Sequence, residues 1–266
     1  MSAVAAARVG ILVFPGTNSE DETKRACEAV GLQTELVHWR TPVEDVRRYD
    51  ALVLPGGFAY EDRVRGGAIA AHDPLVGVVR EAAAAGKPVL GICNGAQVLL
   101  EAGLVPGLDA ASGPQAGFAR NAPGGRFVSR RVQLKLVAPP QRCVFTAHLK
   151  PGSLMPAWAS HGEGRLAASQ HVLERIVAGD HVVFTYADER GDATEAAVPN
   201  GSALAAAGLT NVAGNVLAVM PHPERDAWTF MHRDGAERAG ARGDRAAMLA
   251  PSGGIALFAG LAAALS

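Results

Sequence analysis

Of the three cysteines in this 266-residue chain, one stands between two glycines, in Gly91-Ile-Cys93-Asn-Gly95-Ala-Gln97. The strand-like run Val-Leu-Gly-Ile leads into Gly-x-Cys-x-Gly and then into helix-favouring residues. That is the arrangement of a nucleophile elbow. The turn is so sharp that its central residue is held in a strained backbone conformation. Bulky side chains two residues to either side collide, and Gly91 and Gly95 meet that need. The thiol is expected at the C-terminal edge of a sheet, where open α/β sheets bind ligands. It also stands at a helix N-terminus, whose partial positive charge favours thiolate. A small buried cysteine in a tight turn is the plainer reading of the same residues, so the pattern needs partners.

A thiolate nucleophile needs a base, and the base needs an orienting group. Of eight histidines, His38, His72, His148, His171, His181 and His232 stand in ordinary contexts and read as surface or capping residues. His222 is different: Met220-Pro-His-Pro-Glu224 follows the apolar run Asn-Val-Leu-Ala-Val. The two prolines restrict the local backbone and push His222 toward an extended conformation. In extended chain, residues two apart point to the same side, so Glu224 is expected to approach His222 and fix its tautomer. One His and one Glu make an incomplete metal site. The third element is Pro55-Gly-Gly-Phe58, two glycines after a buried strand. Their N–H groups, with that of Asn94, suit an oxyanion; alone, the stretch reads as a plain turn. GxGxxG and P-loop patterns are missing, so nothing indicates bound nucleotide.

These motifs must be held by a scaffold. Residues 8–14 read as a buried strand. Ser19 and Glu22 have capping-box spacing and predict a helix to about Val30, stopped by Gly31. Residues 34–39 read as the next strand, which gives a β-α-β unit with parallel pairing. Strands follow at 50–54 and 89–92, and helices at about 69–85 and 96–102. The alternation is that of a doubly wound α/β sheet. After Pro106 the strands expected at 126–137, 182–186 and 216–220 have few helices between them, which predicts antiparallel additions. Residues 113–125 and 234–254 read as Gly-, Ala-, Arg- and Pro-rich loops. No repeat or long linker divides the chain, and 1–266 reads as a single domain.

Composition narrows the function classes. Apolar residues make up 48% of the chain and net charge is −1, so a large core is expected and nucleic acid or an anionic membrane is not the expected partner. Arg130 and Arg131, with Lys135, read as an ordinary solvated strand face. The N-terminal stretch lacks the basic region of a secretion signal. No apolar run approaches the ~20 residues of a membrane helix. Cys27, Cys93 and Cys143 are odd in number and far apart, which suits a reducing cytoplasm better than a disulfide framework.

With PGGF, GICNGxQ and PHPE in that order, the chain resembles the class I (triad) glutamine amidotransferases. FPGTNSEDET, LPGGFAYEDRVRGGAIA, GKPVLGICNGAQVLLEAGLVPG, HGEG, PNGS and GNVLAVMPHPER are similar to the purine-biosynthetic branch of that family, from about Val9 to Arg225. The resemblance implies a flavodoxin-like sheet, mostly parallel, and a Cys-His-Glu triad. By motif position, Cys93 is the nucleophile, His222 the base and Glu224 its orienter. Gly57 and Asn94 supply oxyanion N–H groups, and Gln97 helps hold the substrate, L-glutamine. No metal site is implied. His161-Gly-Glu-Gly164 and Asn18 match family positions without an assigned role. The partners implied are a large synthase subunit, which uses ATP and magnesium, and a small third subunit; this chain itself carries no cofactor.

The departures are few. Ala59 and Glu61 replace the Ser and Gly of the family's GGFSYGD, and Ala96 replaces a larger residue. Residues 228–251 match nothing in the family and read as a loop insertion. Other readings are a glutaminase of another amidotransferase pathway, a cysteine hydrolase of the α/β-hydrolase or DJ-1 type, and a non-catalytic binding subunit. The first is disfavoured by the purine-type stretches. The second expects another order of acid and histidine, or a histidine where Asn94 stands. The third is disfavoured by an intact triad.

Overall fold

The computed structural model describes residues 7–109, 113–232, 237 and 243–266. Strand and helix alternate through the first hundred residues: β1 (Arg8–Val13), α1 (Glu20–Ala29), β2 (Gln33–His38), α2 (Val43–Val46), β3 (Ala51–Leu54), α3 (Pro74–Ala84), β4 (Val89–Ile92) and α4 (Asn94–Glu101). There follow β5 (Ala116–Ala119), β6 (Val128–Leu136), β7 (Leu154–His161), β8 (Arg165–Ala168), α5 (Gln170–Ala178), β9 (Val182–Ala187), β10 (Ala206–Thr210), β11 (Val216–Val219) and a final helix over Ile255–Ala264.

Nine strands form one sheet in the order β2-β1-β3-β4-β11-β10-β9-β6-β7, and β5 pairs with β8 beside it. From β2 to β11 the pairings are parallel; from β11 to β7 they are antiparallel. The doubly wound sheet with antiparallel additions is therefore the observed fold, with one correction: β11, expected among the antiparallel additions, pairs parallel to β4 and closes the parallel half, and only its other edge, to β10, is antiparallel. Every residue of β3, β4 and β11 is buried, as continuous apolar runs in a covered parallel sheet require. β2, at the edge, is buried only at Val37.

The registers decide where the chemistry goes. Gly91 of β4 lies opposite Leu54 of β3 on one side and Ala218 of β11 on the other. These three strands are parallel and end together. The chain leaving each one, toward Pro55, Cys93 and Met220, emerges at the same C-terminal edge.

Several local expectations are corrected. The Ser19–Glu22 capping box does not form: the Ser19 side chain accepts no helix N–H, and α1 starts instead with the Ser19 carbonyl receiving both N–H and hydroxyl of Thr23. The helix expected over 69–85 is two pieces, because Pro74 opens a new helix and the Asp73 carboxylate caps Leu75 N–H. α4 begins at Asn94, directly after the cysteine. β5 lies inside the expected loop 113–125, and β7, β8, α5 and β10 were not anticipated. Ser169 caps α5 through Val172 N–H.

Of the expected loop 234–254, residues 234–236 and 238–242 lie outside the described residues. Arg245–Met248 is a helical turn capped by Asp244, and Pro251 bridges back to Trp228. His181 is a buried residue, held by Arg142 and the Thr210 carbonyl. The basic face of β6 is also more committed than expected. Arg130 donates to the Ala196 and Ala197 carbonyls, Lys135 to that of Gly191, and Arg131 to the buried Asp226. Among the described residues no helix is long and apolar enough to cross a membrane.

Candidate active site

Cys93 sits between β4 and α4 with φ 50° and ψ −104°, a left-handed, strained conformation for a residue with a side chain. The flanking glycines are sterically required. A Cβ at Gly95 would stand 1.9 Å from the Leu54 carbonyl oxygen, and one at Gly91 would stand 2.7 Å from the Gly95 backbone. The elbow is pinned by Cys93 N–H to Val219 O (2.9 Å) and Gly95 N–H to Pro55 O (3.2 Å). Thus β11 and the β3 turn both hold it. The Cys93 sulfur lies 3.8 Å from the Ser160 carbonyl oxygen at the end of β7.

His222 follows β11 in extended conformation, and Pro223 opens a 3-10 turn over Pro223–Asp226. His222 Nδ1 is hydrogen-bonded to Glu224 Oε1, and both side chains are buried. The two were expected to meet along an extended chain; the turn at Pro223 brings them together instead. With Nδ1 engaged, the other ring nitrogen is the one left for Cys93. Burial alone pushes the His222 imidazole toward its neutral form, but the Glu224 carboxylate and the contact with Cys93 outweigh it and hold its proton affinity above the ordinary value. Trp158 of β7 fixes the backbone, donating to His222 O (3.0 Å) and accepting from His222 N–H (2.8 Å).

The glycine turn after β3 packs against this pair. Gly57 has φ 151°, and a Cβ there would lie 2.6 Å from Gly16 O and Thr17 Cα. Asn18 N–H donates to Gly56 O and Phe58 N–H to Gly16 O. Asn18 therefore has a place: its backbone holds the glycine turn. As the first helical residue, Asn94 has an N–H without an intrahelical acceptor. Its side chain ties the elbow to the next loop, accepting from Ala59 N–H and donating to Asp62 Oδ1 and Gln97 Oε1.

Gln97 donates from Nε2 to Glu163 O (2.7 Å), and Glu163 Oε2 accepts from Gly66 N–H. The His161–Gly164 loop is thereby docked on the elbow helix. Asn121, which the sequence did not single out, organises that loop. Its Nδ2 donates to Arg126 O and His161 O, and its Oδ1 accepts from Gly164 N–H and faces His161 Nδ1. His161 is 3% exposed. Burial, with the charge of His222 beside it, pushes its pKa down to about 4. Among the described residues no group of His, Cys, Asp and Glu is placed to hold a metal ion.

Comparison with known proteins shows the family. Residues 6–249 match the CobB/CobQ-like glutamine amidotransferase domain. The chain is 46% identical over 220 residues to the phosphoribosylformylglycinamidine synthase subunit PurQ of Symbiobacterium thermophilum, covering 82% of this chain and 87% of that protein. It is 40% identical over 228 residues to the PurQ subunit of Methanothrix thermoacetophila, covering 82% and 86%. A solved structure, PurLQS from Thermotoga maritima, superposes with a TM-score of 0.69 at 29% identity over 89% of this chain and 96% of that one. A buried Cys-His-Glu cluster at the C-terminal edge of this sheet, with relatives of this identity and coverage, places the chain in the CobB/CobQ-like glutamine amidotransferases, in the family of the phosphoribosylformylglycinamidine synthase PurQ subunits.

Proposed function

We propose that the chain is the glutaminase subunit of a phosphoribosylformylglycinamidine synthase. It hydrolyses L-glutamine to glutamate and ammonia. The ammonia serves the ATP-dependent conversion of formylglycinamide ribonucleotide to formylglycinamidine ribonucleotide in purine biosynthesis. ATP and magnesium belong to a large synthase subunit, and a small third subunit completes the complex. The chain is read as one amidotransferase unit over 1–266 that acts in the cytoplasm.

The thiolate of Cys93 attacks the side-chain amide carbon of glutamine. The oxyanion that forms is bound by the N–H groups of Gly57 and Asn94. His222, holding the thiol proton on its Cys93-facing nitrogen, passes it to the departing nitrogen, and ammonia leaves a γ-glutamyl thioester. The same imidazole then takes a proton from water as its oxygen attacks the thioester. The proton returns to sulfur, and glutamate is released. Glu224 holds the ring in one tautomer and stabilises the imidazolium. The amide of Gln97 already engages Asn94 and Glu163, so it serves the substrate mainly by keeping the 161–164 loop against the elbow.

The observation that carries the reading is the convergence of Cys93, the His222–Glu224 pair and the Gly56–Gly57 turn where β3, β4 and β11 end. The test is ammonia release from glutamine by the purified chain, alone and with its synthase subunit. No release in either case overturns it.

A further inference from the structure

Among the described residues, the carboxylate of Glu224 makes a single hydrogen bond, to His222, and its second oxygen is buried without a partner. That one bond leaves the rest of its placement to the turn that carries it. That turn ends at Asp226, whose side chain is fully buried. Arg131 of β6 donates to it from Nε to Oδ2 at 2.7 Å and from Nη2 to Oδ1 at 3.4 Å. Arg131 stands opposite Trp158 in the β6–β7 ladder, and Trp158 is the residue whose backbone holds His222. One hairpin therefore grips the turn at both ends, through backbone at 222 and through an ion pair at 226.

The far side is closed as well. Gly254 N–H donates to Asp226 O (3.0 Å), and Ser252 N–H to Ala227 O (2.7 Å). His232 Nε2 lies 2.8 Å from Asp226 Oδ1. A Cβ at Gly254 would stand 2.1 Å from Pro223 O. The turn has no slack on this side, so its seating depends on the Asp226 contacts. Taking a carboxylate out of water is unfavourable, and an apolar residue would fill the same space at less cost. What a forked arginine–carboxylate pair adds is one defined geometry.

We propose that Arg131 and Asp226 are positioning residues for the His222–Glu224 pair: their ion pair seats the 3-10 turn so that the Glu224 carboxylate meets His222 in line. In the mechanism above neither meets the reacting atoms. The inference rests on the glutaminase reading above and deepens it.

The experiment uses the full chain in complex with its synthase subunit and compares Arg131→Met, Arg131→Lys and Asp226→Asn with wild type. Steady-state kcat and KM for glutamine, ammonia-dependent synthesis, thermal midpoint and the rate of Cys93 alkylation by iodoacetamide are measured. Arg131→Met is expected to lower kcat about tenfold or more while KM stays within about twofold, because misplacement of reacting groups by a fraction of an ångström has effects of that order. Alkylation slows in parallel, ammonia-dependent synthesis is unchanged, and Arg131→Lys recovers a substantial part of the loss. Because Arg131 is half exposed, its variants carry the test even if Asp226→Asn does not fold. Wild-type kcat in Arg131→Met, an equal loss of ammonia-dependent synthesis, or a lysine variant no better than methionine each overturns the inference alone. A wild-type complex that releases no ammonia overturns the glutaminase reading and this inference with it.

Discussion

The imidazole of His222 lies directly against the backbone of Gly56: a Cβ at position 56 would stand 2.5 Å from Cε1 and 3.3 Å from Nδ1. The glycine turn and the imidazole are therefore in contact. Gly56 is not among the glycines with positive φ, so alanine there changes the contact and not the backbone. Gly56→Ala is expected to lower kcat/KM for glutamine about 10²-fold, the scale of a displaced catalytic group, with an unaltered circular dichroism spectrum. Steady-state glutaminase assays check it; a near-wild-type rate would mean that the ring yields without losing its alignment.

All three cysteines are buried, and Cys93 is the one that meets the His222 side chain. Burial pushes the Cys27 thiol up to about 12 and Cys143 up to about 11. Mass spectrometry after iodoacetamide treatment near pH 8 is expected to show one labelled thiol per chain, absent in Cys93→Ala. That variant loses glutamine-dependent synthesis and keeps synthesis from free ammonia. Cys27→Ala and Cys143→Ala keep both, but each lowers stability by about 1–2 kcal/mol, because each opens a small cavity in a packed core.

In the proposed mechanism His222 and Glu224, which are hydrogen-bonded to each other, act as a unit. His222→Ala removes the proton carrier, whereas Glu224→Gln leaves an amide oxygen able to accept from Nδ1. The histidine variant is expected to lose more kcat, and the double variant far less than the product of the two single losses. Two large effects that multiply in full would separate the residues.

The grouping of Cys93, His222 and Glu224 was legible in the sequence because its signals are local. Glycines two residues to either side of Cys93, and prolines flanking His222, report backbone constraints that any reader of the chain can apply. Most of the parallel half of the fold was legible for the same reason: β3 and β4 are unbroken apolar runs; β11 was legible as a strand, but its parallel pairing with β4 joins residues more than 120 positions apart and was not. The second half was legible only in part: β6, β9 and β11 were expected as strands, and the elements between them were not. β5 is Ala-Gly-Phe-Ala, without the β-branched residues that mark a strand. α5, Gln-His-Val-Leu-Glu-Arg-Ile-Val-Ala, buries only Ile176 fully, so the stripe it buries is narrower than that of a core-facing helix. Arg131 looked like solvated charge because its partner, Asp226, is 95 residues away. Ser19 and Glu22 had the spacing of a capping box, but packing at Gly56 draws the serine away: a Cβ at 56 would lie 2.9 Å from its hydroxyl.

His161 gives the fold a pH dependence. Its pKa falls from 6.5 unfolded to about 4 folded. Between those values the unfolded chain binds a proton that the native state refuses, so stability rises with pH across this window and is lost as pH falls. The full loss is about 3 kcal/mol. His181, also held below its ordinary value by burial, acts in the same direction. His222 is held above its ordinary value, so its contribution fades only as pH rises above about 6.5. Urea unfolding between pH 4 and 7 is expected to show a slope that His161→Gln reduces. An unchanged slope in that variant would assign the acid sensitivity to other groups.

The loop beside the glycine turn is strained, and this bears on the partner. Tyr60, Glu61, Asp62 and Val64 all have positive φ, at 54°, 61°, 49° and 78°, which costs about 1 kcal/mol or more for each residue with a side chain. Glu61 stands where the family has glycine. The loop is held by Tyr60 Oη donating to Asp73 and by Asn94 donating to Asp62, so the strain reaches the elbow through Asn94. Its outer face carries Phe58, half exposed, and Val64, 85% exposed. A cavity of 410 Å³ lined by Pro15, Gly16, Tyr60, Glu61, Arg63 and Ile69 lies alongside. A synthase subunit that docks here and prefers one arrangement of the loop shifts the population of the glycine turn. One misdirected oxyanion donor changes kcat by about 10²–10³, so the isolated chain is expected to be a weak glutaminase that gains strongly on binding the synthase subunit and its substrates. Val64→Asp, which places a charge on that face, is expected to leave the basal rate unchanged and to raise the synthase concentration needed for half-maximal activation. Steady-state assays titrated with synthase measure both. Equal turnover with and without the partner would leave the strained loop without a role in coupling, and an unchanged titration with Val64→Asp would move the docking surface elsewhere.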